Sequence, residues 1–231
     1  MKAYERLLKY ARIWTTSDEE STTSPTTSRQ FDLAKQLVEE MKEIGIEDAY
    51  MDEFGYVYGH IPATPGYEDC TAIGFIAHMD TAPDYSGENV NPQIIENYDG
   101  NDVSLGTSGK VLSVAEFPFL KTLAGRTLIT TDGTTLLGAD DKAGIAEIMT
   151  VAEELIKENI PHGKVSISFT TDEEVGSGAK HMNLEVFGAP FAYTVDGGPE
   201  GEIQFENFNA AGAEVIVHGV NVHPGSASSY K

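Results

Sequence analysis

Three short apolar runs in this sequence each end in acidic residues. TAIGFIAH (Thr71 to His78) runs into Met79 and Asp80, VSISFTT (Val165 to Thr171) into Asp172, Glu173 and Glu174, and FAYTV (Phe191 to Val195) into Asp196 and two glycines. The first has too little polar alternation for a half-exposed strand and is expected to be a buried central strand, with the second buried beside it. Between them, Ile145, Ile148, Met149, Ala152, Leu155 and Ile156 recur at helical spacing and predict a helix over Asp141 to Asn159. Tyr4, Leu7, Leu8, Ala11 and Trp14 share one helical face. Phe31, Leu33, Ala34, Leu37, Val38 and Met41 give a second amphipathic helix ending near Gly45. With further strands at Tyr56 to Ile61 and Ile203 to Phe208, the alternation predicts an α/β fold: a largely parallel mixed sheet flanked by helices.

Two stretches resist this reading. TTSDEESTTSPTTSRQ, between the first two helices, is a Ser/Thr-rich loop. It reads as a solvated linker, although its length leaves room for a role beside a site. Thr81 to Arg126, rich in Gly, Asn, Asp and Pro, is expected to hold irregular loops and a few short strands. Near the end, VIVHGVNV (Val215 to Val222) opens what reads as a new strand and turn.

Charge narrows the partners. The 231 residues hold 15 Lys and Arg against 37 Asp and Glu, a formal net charge of -22. Such a surface repels phosphate backbones and anionic membranes, so neither nucleic acid nor membrane is an expected partner. It attracts metal cations instead. Cys70, the single cysteine, has no internal partner for a disulfide, and this fits a reducing cytoplasm.

Ligands of open α/β sheets bind at the carboxyl ends of the strands, which is where His78, Asp80, the Asp172 cluster and Asp196 fall. Asp140 and Asp141, after TTLLGA, start the predicted helix. Taken singly, each has an ordinary reading: His78 as a core histidine, the Asp pair as a helix cap, Glu173 and Glu174 as an acidic helix start, Asp196 as a turn residue. Gathered at one rim, they would repel one another unless a cation compensated them. One histidine among several carboxylates suits zinc, with cobalt or manganese as substitutes. A carboxylate bridging two ions about 3.5 Å apart makes a two-metal hydrolase site. Of two adjacent glutamates, one can bind metal and the other act as general base.

HMDTAPD, LLGADDKAGIAEIM, TTDEEVGSGA, TVDGGPEGEIQFENFNAA and VHPGSA, in this order and spacing, resemble the M20 family of dinuclear zinc peptidases. Within that family the last two strings and the N-terminal loop look most like its tripeptide aminopeptidases. The resemblance implies the N-terminal part of a zinc-peptidase-like catalytic domain over residues 1–208 and the start of a smaller α+β lid, which carries a homodimer contact, over residues 209–231. It implies that His78 and Asp196 bind one Zn2+, Glu174 binds the other, and Asp140 bridges them. Asp80 would orient His78 and Glu173 would activate water, with a cis peptide bond between Asp140 and Asp141. His223 matches a lid histidine that stabilises an oxyanion, often across the dimer. Family chains are longer, and their last histidine ligand follows the lid. The expected activity is release of the N-terminal residue from tripeptides. The alternatives are another M20 amidohydrolase activity, either deacylation of N-acyl amino acids or hydrolysis of dipeptides, or cation binding without catalysis.

Overall fold

The computed structural model describes residues 1–206, 209, 211, 213 and 215–219. Helices α1 (Ala3–Tyr10) and α2 (Gln30–Ile44) precede strands β1 (Tyr50–Met51), β2 (Val57–Ile61) and β3 (Ile73–His78). An excursion follows with β4 (Pro92–Ile95), β5 (Val103–Ser104), β6 (Val111–Leu112), a 3-10 turn (Pro118–Leu123) and β7 (Leu128–Thr131). Helix α3 (Ala139–Lys157), strand β8 (Val165–Thr170), the short helix α4 (Leu184–Phe187) and β9 (Ala192–Thr194) complete the described elements.

The main sheet has the order β1-β2-β8-β3-β9. It is mixed: β3 runs parallel to β8 and β9, while β2 runs antiparallel to β1 and β8. The central strand is therefore β8, with β3 beside it. Every residue of β8 is buried, and its alternation is of apolar with small hydroxylated side chains. Val165, Ile167 and Phe169 face a core shared with Leu33, Leu37 and Met41 of α2 and Ile145, Ile148 and Met149 of α3. A smaller cluster joins Tyr56 and Tyr58 to Phe187 of α4. Each fully buried large apolar side chain contributes about 1.5–3 kcal/mol, so these helix-to-sheet contacts dominate the fold's stability over the two-stranded ladders of the excursion.

Helix α2 ends as expected, its cap Gly45 taking a left-handed φ of 108°. Helix α1 does not follow its predicted face. It stops at Tyr10, Tyr4 is 46 % exposed, and the buried helical residues are Arg6 and Tyr10. Arg6 Nε donates to Glu40 at 2.7 Å and a terminal nitrogen to Glu153 at 2.8 Å, so buried ion pairs join the core packing of Tyr10 and Leu7 in docking this helix.

The chain divides into two units, Met1–Gly197 and Gly198–Lys231. Among the described residues of the second there is no helix or strand. The strands expected at Ile203 to Phe208 and from Val215 onward do not form over their described residues, and the rest of each lies outside the described part. No helix among the described residues is long and apolar enough to cross a membrane.

Candidate metal centre

Strand register brings the acidic turns together. His78 pairs with Thr170, which sets Asp80 level with Asp172; Ile76 pairs with Thr194, which sets His78 level with Asp196. The amino end of α3 meets the same rim and adds Asp140 and Asp141. One turn of sheet geometry thus gathers side chains that lie far apart in the sequence.

His78 is 2 % exposed and held by its Nδ1, which lies 3.0 Å from the Asp80 carbonyl oxygen and 3.4 Å from Asp80 Oδ1. Its Nε2 therefore points to the rim. There it lies 2.9 Å from Asp140 Oδ1, 3.7 Å from Glu173 Oε2 and 3.8 Å from Asp196 Oδ2. Burial works to lower the imidazole pKa, but the hydrogen bond and charge of Asp80, with Asp141 and Asp196 behind it, carry it up to about 10.

Asp80 is fully buried, and its two oxygens also accept the backbone N–H groups of Glu173 at 3.0 Å and Glu174 at 3.1 Å. One carboxylate thus orients the histidine and both glutamates. Their carboxyls, and that of Asp196, are raised above the usual range, first by burial and then by the negative charges around them, with His78 opposing the rise. Such mutual repulsion is what a bound cation relieves.

Asp140 and Asp141 have different surroundings. The Asp140 side chain is 72 % exposed and reaches His78, whereas Asp141 is buried. The backbone leaves helical φ/ψ at Asp140 and Asp141, and where the helix resumes Asp141 Oδ1 accepts from Gly144 N at 3.3 Å in the manner of an N-cap, while Oδ2 accepts from His78 N at 3.2 Å. Burial, reinforced by Asp196, pushes its pKa up to about 8. The peptide bond between the two aspartates is cis, as the resemblance implies.

Two sets of donor atoms lie close enough to share a cation, His78 with Glu173 and Asp196, and His78 with Asp140 and Glu174, each within 4.8 Å of one another. An imidazole nitrogen with carboxylate oxygens is a donor set that zinc and its neighbours accept, so the residues present fit a divalent cation. All the expected ligands and the expected base converge. Glu173, read as a base, also has the geometry of a ligand. His223 lies outside the described residues.

Sequence reasoning missed three supports. Lys142 is buried and donates to the Ile13 carbonyl at 2.7 Å, with burial pushing its pKa down to about 7. Asp172 is buried and binds the Ser/Thr loop. Gly144 lets α3 touch the end of β9. A lysine among the small residues of GADDKAG was the one visible signal for the first; the partners of the other two are too distant in sequence to be seen.

Residues 131–213 match Peptidase family M20/M25/M40. Peptidase T of Aliivibrio fischeri (strain ATCC 700601 / ES114) is 57 % identical over 225 residues, covering 96 % of this chain and 54 % of that protein. Aminopeptidase PepT from Bacillus cereus ATCC 10987 shares the fold, with a TM-score of 0.59 and 24 % identity over 85 % of this chain and 43 % of that one. A tripeptidase from Staphylococcus aureus subsp. aureus Mu50 gives a TM-score of 0.58 and 26 % identity, covering 86 % of this chain and 43 % of that one. The chain spans about half the length of the curated relatives it matches. Over nearly its whole length this chain is similar to peptidase T, and residues 131–213 match Peptidase family M20/M25/M40.

Proposed function

We propose that this chain carries the cation-binding and catalytic residues of an aminopeptidase that releases the N-terminal residue from tripeptides. The observation that carries the reading is the convergence of His78, Asp140, Glu173, Glu174 and Asp196 on one rim of the sheet. The likeness to peptidase T and to a solved tripeptidase supplies the substrate class. His78, Asp140, Glu174 and Asp196 are the residues that would hold two Zn2+ ions, with Co2+ or Mn2+ able to use the same donors. When bound, such ions polarise a scissile carbonyl and make a water molecule more acidic.

Glu173 then has the proton work. Its carboxylate takes a proton from the attacking water and returns it to the leaving amine. Asp80 fixes the backbone of Glu173 and the ring of His78 together, so base and ligand keep one spacing. The same reading takes residues 209–231 as the start of a lid that carries a homodimer contact and His223 as its oxyanion donor.

Hydrolysis by the cation-loaded chain tests the proposal, with a tripeptide panel set beside N-acetyl and N-succinyl amino acids. Release of free N-terminal residues from the tripeptides is expected. Cleavage of the acylated compounds alone would replace the aminopeptidase with an amidohydrolase, and cation binding without any turnover would leave a non-catalytic metal-binding chain. Glu173→Gln should retain cation and lower kcat by about 10²–10⁴-fold, the usual contribution of a general base.

A further inference from the structure

The Ser/Thr-rich loop between α1 and α2 is fastened on both sides to the turns of the metal centre. At its start, Thr16 forms a parallel bridge with Thr81, the residue after Asp80. Ser17 N donates to the Thr81 carbonyl at 3.2 Å, Thr81 N to the Thr15 carbonyl at 3.4 Å, and the Thr16 and Thr81 hydroxyls lie 3.1 Å apart. At its end, Thr26 and Gln30 close on Asp172, the residue before Glu173. The Asp172 carboxylate accepts the Thr26 N–H at 3.0 Å, the Thr26 hydroxyl at 2.6 Å and the Gln30 Nε2 amide at 2.7 Å. Gln30 Oε1 in turn accepts the Asp172 N–H at 3.2 Å.

Asp172 is 1 % exposed and takes a left-handed φ of 59°, a conformation that Asp and Asn tolerate better than other residues with a β-carbon. A turn residue has no need of three donors on one buried carboxylate. Their effect is to fix the backbone one residue before the glutamate pair, while Asp80 fixes the pair itself.

We propose that Asp172 is a positioning residue: through Thr26 and Gln30 it locks the 15–29 loop to the Glu173–Glu174 turn, so that loop and glutamates hold one geometry toward the cation. The inference rests on the assignment of those glutamates to the metal centre. Groups that orient ligands from behind typically alter metal affinity by roughly 10–100-fold. Asp172 acts in that way through the main chain.

Cobalt titration of the chain, followed by visible absorption with thermal melts alongside, tests this. Thr26→Val removes a hydroxyl that donates to Asp172 and accepts from Asp18 N at 3.1 Å and Gln30 Nε2 at 3.3 Å, and keeps the shape and the backbone N–H. Asp172→Ala removes the acceptor, and Asp172→Asn keeps an oxygen acceptor and a residue suited to the left-handed turn. Asp172→Ala and Thr26→Val should weaken Co2+ binding, the former by roughly tenfold, and change the shape of the absorption band, while Asp172→Asn restores most of both. The melt of Thr26→Val should fall by no more than a few degrees, the loss of one charged hydrogen bond, with the cation affinity compared at a temperature where parent and variant are both folded. Unchanged Co2+ affinity and spectrum in both Asp172→Ala and Thr26→Val overturns the proposal, as does an affinity loss that follows melting temperature alone. A parent chain that binds no Co2+ overturns the metal centre and the positioning role together.

Discussion

Gly144 controls how closely the amino end of α3 approaches the end of β9. A β-carbon there would lie 1.9 Å from the Val195 carbonyl oxygen and 2.5 Å from Asp141 Oδ1, closer than any real contact. Gly144→Ala must therefore displace either the cap formed by Asp141 or the strand end carrying Asp196. We expect a loss of about 1–3 kcal/mol, the usual cost of overpacking, read by urea unfolding, together with weaker cation binding. The aspartate pair separates in the same way. Asp140→Asn should lose cation while the fold persists, whereas Asp141→Asn should mainly lower stability, because Asp141 caps α3 and accepts the His78 N–H. Loss of cation by Asp141→Asn alone would reverse these roles. The convergence of these residues was legible in the sequence because His78 ends a recognisable strand and Asp140, Glu173, Glu174 and Asp196 each follow one or start a helix. The contact between Gly144 and Val195 was not, since nothing local marks a glycine as the meeting point of two elements.

At the scale of elements, the strands β3, β8 and β9 and helices α2 and α3 fall within a few residues of their expected limits, since continuous apolar runs and helical spacing report burial directly. Helix α1 shows where that signal ends. Its anchor, Arg6, pairs with Glu40 and Glu153, and those partners stand 34 and 147 residues away. Periodicity cannot register a buried cation whose stability depends on distant anions. Removing Arg6 leaves Glu40 with Lys9 and Glu153 with Lys157 and the amino terminus, so Arg6→Ala should cost about 1.5–3 kcal/mol, the usual worth of a charged hydrogen bond, measured by urea unfolding. A cost below 1 kcal/mol would mean that the core contacts of Tyr10 and Leu7 dock α1 without help from the ion pairs. The network also has an acid limit. Glu153 has its pKa drawn down to about 2 by Lys157 first, then by the amino terminus and Arg6, from an ordinary value of 4.5. A carboxyl lowered on folding contributes stability that is present above its unfolded pKa and is lost as pH falls through its folded one. Unfolding measured from pH 5 to pH 2 should therefore show a decline that Glu153→Gln reduces.

The whole molecule combines a net charge of -22 with a rim where four carboxylates surround one outward histidine nitrogen. Any cation lowers that repulsion to some extent, so stabilisation by added salt does not by itself identify a site. Specific binding is distinguished by saturation and by cation identity. A ligand held only by the folded state, at a free concentration near 100 times its Kd, stabilises by about 2.7 kcal/mol. For a chain of this size that corresponds to a melting temperature higher by about 5–10 °C. Zn2+ or Co2+ should produce such a rise at low concentration and a chelator should reverse it. Mg2+ at the same ionic strength should give much less, because it binds reluctantly outside an octahedral oxygen cage and an imidazole is a poor ligand for it. Asp140→Asn should remove the Zn2+ increment and keep the small rise due to screening. Equal shifts from Zn2+ and Mg2+, or an undiminished Zn2+ shift in Asp140→Asn, would assign the effect to the acidic surface as a whole and leave the convergence at His78 without a bound ion to explain it.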